Sequence, residues 1–106
     1  MRRHDLSSDR RRLLDIMRGM GYGRIENLTI RTGEPVIDKS LRLVHEKLLG
    51  KKVKGRTLQP RADFELKAQQ IELFECFDQM QDGLVPILKV QDGLPFQLHM
   101  EERVTA

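Results

Sequence analysis

Apolar residues first gather at helical spacing between positions 13 and 20. Leu13, Leu14, Ile16, Met17 and Met20 form one stripe, and Arg10, Arg11, Arg12, Asp15 and Arg18 fall largely outside it. The spacing predicts a helix. Ser7 or Ser8, followed by Asp9, brings a side-chain oxygen to the unpaired amides of its first turn. Gly19, Gly21 and Gly23 end it, because glycine accepts the left-handed geometry common at helix C-termini. From Arg24 to Ile37 the pattern becomes that of two strands. Ile25, Leu28 and Ile30 precede a turn at Arg31-Thr32-Gly33, and Val36 and Ile37 follow it. Read as a three-residue loop closing on a glycine bulge, this turn sets Leu28 opposite Val36.

The second half repeats the succession. Asp63 is positioned to cap a helix whose stripe runs through Leu66, Ile71, Leu73, Phe74, Phe77 and Met80, and Gly83 ends it. Leu84 to Val90 reads as a strand, Gln91-Asp92-Gly93 as a turn and Leu94 to Met100 as the return, with Leu88 facing Phe96 and Val90 facing Leu94. Between the halves, Asp38 to Gly50 fits two patterns. Leu41, Val44 and Leu48 suit a helix face, while Leu41, Leu43, Val44 and Leu48 suit an imperfect strand, and both readings stay open. Lys51 to Arg61, with Gly55 and Pro60, reads as an exposed loop.

A shift of 60 aligns the two halves without a gap: Leu13 with Leu73, Met20 with Met80, Gly23 with Gly83, Leu28 with Leu88, Gly33 with Gly93 and Pro35 with Pro95. Part of this agreement is imposed by geometry, since any helix followed by a hairpin needs glycine at similar places. The remainder predicts tandem helix-hairpin (αββ) units, approximately 7–37 and 64–100, joined by a basic connector, 38–63. The expected fold is α+β. The units form one antiparallel sheet of four or five strands with two helices packed on one face and a pseudo-twofold axis between them. Proline at 35 and 95 removes an amide donor, so each return strand is expected at a sheet edge or a bulge.

Length agrees with one domain spanning 1–106. At 39% apolar and 33% charged residues the chain is polar, yet apolar enough to fold. Charge is unevenly divided. Residues 1–62 hold 16 Lys and Arg against 7 Asp and Glu, a balance of +9, whereas residues 63–106 hold 3 against 9, a balance of −6. Such asymmetry predicts a charged partner, or attraction between the halves. With one cysteine, Cys76, no internal disulfide forms, and no signal peptide or apolar span is readable; the expected location is cytoplasmic.

Chemistry-bearing patterns are sparse. The three glycines at 19, 21 and 23 follow a helix and precede a strand, the reverse of the order that aims helical amides at a phosphate. His4, His45 and His99 lack the close spacing of a zinc site, and Cys76 sits where the first helix has Ile16, as a packed thiol would. Glu65, Glu72, Glu75 and Asp78 are spaced as a solvated helical face. No catalytic residue, metal or cofactor is therefore expected.

Positive charge is the strongest functional signal. Arg2, Arg3, Arg10, Arg11 and Arg12 surround the start of the first helix, and Lys51, Lys52, Lys54, Arg56 and Arg61 lie in the central loop. Clustered guanidinium and ammonium groups attract phosphates, and the scarcity of aromatics argues against base stacking. The chain reads as a small non-catalytic binding module, associated with nucleic acid through these residues. The alternative is a protein-interaction or self-assembly module, including a homodimer, that uses exposed strands and the opposite charges of the halves. No membrane partner is expected.

Overall fold

The first helix begins where its chemistry dictates. Ser7 Oγ accepts from the Arg10 amide at 3.2 Å, and α1 runs Ser8–Met20 in the computed structural model, which describes residues 5–47, 49 and 67–101. Strands β1 (Gly23–Arg31), β2 (Glu34–Val36) and β3 (Arg42–His45) follow, then α2 (Ala68–Met80), β4 (Gly83–Gln91) and β5 (Leu94–Glu101). The strand reading thus holds for residues 42–45. Helix α2 starts later than the sequence predicts: its N-cap is Lys67, whose amide donates to Gln70 Oε1 at 2.9 Å, while Asp63 and Leu66 lie outside the described residues.

All strands pair antiparallel in one five-stranded sheet, ordered β2-β1-β4-β5, with β3 also paired to β1. The two proline-bearing return strands, β2 and β5, end this order, as the missing amides of Pro35 and Pro95 require. Strand β2 covers Thr29 to Arg31 and β3 covers Gly23 to Glu26, so the two are pieces of one return path interrupted at 37–41. The Asn27 side-chain amide pins that interruption by donating to the Ser40 carbonyl at 3.1 Å.

Both turns depart from the expected loops. Arg31 pairs with Glu34 and Gln91 with Leu94, which leaves two-residue loops, Thr32-Gly33 and Asp92-Gly93. All four loop residues have positive φ (52°, 76°, 57° and 75°), the mirror-image turn whose twist suits flanking strands. Register changes with loop length: Thr29, not Leu28, meets Val36, and Val90 meets Pro95; a further shift, which leaves Phe96 outside the ladder, then brings Leu88 to Leu98. A second irregularity falls between the pairs Glu26–Ile87 and Leu28–Val85, where Asn27, at φ 64°, stands level with Pro86. The alternation of both strands breaks here without a shift of register, and Ile25 and Leu28, three residues apart, are both buried.

The core fills one face of the sheet. Ile25, Leu28, Ile30, Val85, Leu88 and Val90 of β1 and β4 meet Leu13, Leu14 and Met17 of α1 and Leu73, Phe74 and Phe77 of α2. Phe74 and Phe77 pack edge to face, 5.9 Å between centroids. Each hairpin tip is tied to the far helix. The Gly33 amide donates to the Gln81 carbonyl after α2 at 2.8 Å, and the Gly93 amide to the Gly21 carbonyl after α1 at 2.7 Å. The bounds of α2 and β4 lie 60 residues after those of α1 and β1.

Candidate docking groove beside the edge strand

Of the basic residues that the sequence singles out, Arg10 is turned inward. Its guanidinium donates to the Gly33 carbonyl at 2.8 Å, pairs with the Asp78 carboxylate of α2, and stands 5.1 Å from the Phe74 ring centre. Nε approaches Glu34 Oε2 at 3.6 Å, and Ser7 Oγ donates to the same carboxylate at 2.6 Å. With 14% of its side chain exposed, Arg10 joins the two halves and offers little to an external phosphate. Arg11 is half-buried and Arg12 exposed on α1. Arg2, Arg3, Lys51, Lys52, Lys54, Arg56 and Arg61 lie outside the described residues. The basic set is not assembled into one surface among those described.

The sheet face opposite the helices carries mixed charge. Across the strands, Val44, Arg24, Lys89 and Gln97 form one row, and Arg42, Glu26, Ile87 and His99 the next. Arg24 Nε lies 2.7 Å from Glu26 Oε2, and Arg42 lies 3.8 Å from Glu26 Oε1. The hydrogen bond from Arg24, then the charges of Arg24 and Arg42, hold the Glu26 carboxyl below its usual range despite some desolvation. Opposite charges satisfying one another are the mark of a solvated surface.

A different geometry lies between α2 and β5. Cys76, Gln79 and Met80 on the helix face Gly83, Met100 and Glu101 across a cavity of about 820 Å³. A smaller one of about 190 Å³ continues it past Cys76 towards Glu72, Phe96, Gln97 and Leu98. Together they make a groove along the edge strand. Met100 and Phe96 are 53% and 55% exposed, and Leu98 is half-buried against the core. Among the described residues no strand pairs with the outer edge of β5, so its backbone groups there face outward.

The chain treats the corresponding flank of its first half differently. Ile37 and Leu41, around the break between β2 and β3, are half-buried against the core. Sixty residues on, the positions are Gln97 and Glu101, both exposed. At these positions the first flank packs apolar side chains against the core and the second carries exposed polar ones. The sequence pattern sets Phe96 opposite Leu88, whereas the structure leaves it exposed beside the groove. The signal is the succession of Phe96, Leu98 and Met100, which acquires meaning only once β5 is known to be an edge.

Cys76 opens onto both cavities, and its thiol is held above its ordinary range, first by burial and then by the charges of Glu72 and Glu75. That environment opposes thiolate formation and hence nucleophilic chemistry. His45 and His99 are exposed, and among the described residues no three His, Cys, Asp or Glu side chains are placed to hold a metal ion. No helix among them is long and apolar enough to cross a membrane. No protein-family model matches the chain, and comparison with curated proteins and with solved structures gives no match.

Proposed function

We propose that the chain is a non-catalytic protein-docking module built from two copies of one helix-hairpin unit, in which the second copy keeps open a flank that the first copy closes with its own side chains. The observation that carries this reading is the groove along the edge of β5 that is unpaired among the described residues, with Phe96 and Met100 exposed beside it. Exposed apolar side chains next to an available strand edge are the ingredients of strand addition, in which backbone hydrogen bonds supply affinity and pockets supply selectivity. Duplication is supported by the 60-residue offset of α1 and β1 to α2 and β4, and by the reciprocal ties of Gly33 and Gly93 to the far helices.

A library of displayed random peptides, selected on the full chain, tests the docking role. Enriched peptides are expected to bind with micromolar affinity and to shift amide resonances of β5 and α2. Phe96→Ser with Met100→Ser should weaken them about tenfold or more, the loss of roughly 1.4 kcal/mol or above. Fluorescent duplex DNA is titrated in parallel. Salt-sensitive duplex binding lost in Arg11→Ala with Arg12→Ala, together with no peptide enrichment, would overturn docking in favour of phosphate binding.

A further inference from the structure

Charge around the groove restricts what enters it. After its N-cap Lys67, helix α2 contains Glu72, Glu75 and Asp78 and no Lys or Arg, and β5 contains Glu101 and no Lys or Arg. Asp82 and Glu101 line one end of the groove and Glu72 the other. Lys89, the cation of the adjoining β4, pairs across from Gln97 on the opposite face of the sheet. Arg10, which reaches α2 from the first helix, is already bound to Asp78. Among the described residues the charges that line the groove are therefore acidic, and Met80, Phe96, Leu98 and Met100 give it apolar surface.

Resting on the docking reading above, we infer that the segment received by this groove is a basic, extended stretch of another protein, with apolar side chains at alternate positions and Lys or Arg between or beside them. Its apolar residues would lie against Phe96, Leu98 and Met100, and its cations against Glu72, Asp82 and Glu101. An extended form follows from β5 itself. Between the strand's two register shifts, Leu98 pairs with the core residue Leu88 while Gln97 and His99 face the other side, so a strand added along 97–99 prolongs the core layer at Leu98. Complementary charge then selects among apolar segments and speeds their encounter, while apolar contact supplies most of the affinity.

The same charges disfavour the other occupants. Two copies joined edge to edge through β5 would bring two sets of acidic walls together, an arrangement that like-charge repulsion opposes. A phosphate backbone meets the same repulsion.

Two fluorescent peptides of equal length, sharing alternate Val, Phe and Leu and differing in Lys or Glu at the intervening positions, provide the test. Binding to the full chain is followed by anisotropy, and groove occupancy by protection of Cys76 from alkylation. The Lys peptide is expected to bind about tenfold tighter than the Glu peptide at low salt, to protect Cys76, and to lose most of that margin at about 300 mM salt. Glu72→Lys with Glu101→Lys, both at exposed positions, should reverse the order. Glu72→Gln with Glu101→Gln gives an intermediate margin and guards against misfolding of the reversed variant. Equal binding of both peptides with Cys76 protected would overturn the charge inference and leave docking intact. Lys-peptide binding that leaves Cys76 unprotected would place the contact elsewhere and overturn it too. Binding of neither peptide, with no selection from the random library, would overturn both readings.

Discussion

Gly23 and Gly19 occupy opposite situations although three residues of one short segment separate them. A methyl group on Gly23, at φ 148°, would lie 2.1 Å from the Val44 carbonyl oxygen, inside the β1–β3 ladder, and backbone cannot yield to it cheaply. Gly23→Ala is expected to destabilise the fold by about 2–4 kcal/mol, read from denaturant midpoints. Gly19, exposed within α1, has nothing within 4 Å of such a methyl, and Gly19→Ala should stabilise by about 0.5–1 kcal/mol through helix propensity. Thr32 is the strained member of its turn, a β-branched residue at φ 52°, where the matching Asp92 is suited to its 57°. Thr32→Asn keeps the amide that donates to Asp82 Oδ1 at 3.0 Å and should raise stability by a few tenths to about 1 kcal/mol in the same assay.

Among elements, the decisive contact is the reach of α1 across the first turn to α2. Arg10→Ala removes a bond to the Gly33 carbonyl, an ion pair with Asp78 and a cation over Phe74. Asp78 is 59% exposed, so water screens the pair, and the summed loss should be about 1–2 kcal/mol. Arg12→Ala, at an exposed position, should stay within about 0.5 kcal/mol of the parent, and paired denaturation curves separate the two. Such a difference within one run of three arginines is invisible in the run itself. Helical period located α1, and proline at 35 and 95 put the return strands at edges, because those features act locally. Turn length did not follow, since Thr-Gly and Asp-Gly each serve in two- and three-residue loops and twist of the paired strands chooses between them. Nor did the groove, because Phe96, Leu98 and Met100 have the alternation of any half-buried strand until topology leaves the outer edge of β5 without a partner among the described residues.

Over the whole molecule, stability should fall at both ends of the pH scale for separable reasons. Glu26 titrates below its ordinary range when folded, so its contribution is present above about pH 4 and disappears as pH falls through the folded value. Cys76 titrates above its ordinary range, so its contribution is complete at neutral pH and declines as pH rises past the unfolded thiol value. In melting temperature against pH, Glu26→Gln should flatten the acid limb and Cys76→Ser the alkaline limb. The reciprocal tying of each turn glycine to the opposite helix end has a further consequence. Neither half contains the partner of its own turn: Gly33 needs Gln81, Gly93 needs Gly21, and β1 needs β4 to leave the edge. Two fragments divided between residues 47 and 67 should each lack cooperative structure, yet reconstitute on mixing, with a concentration-dependent transition in circular dichroism. The divided chain would then behave as a heterodimer whose folding and association are a single event.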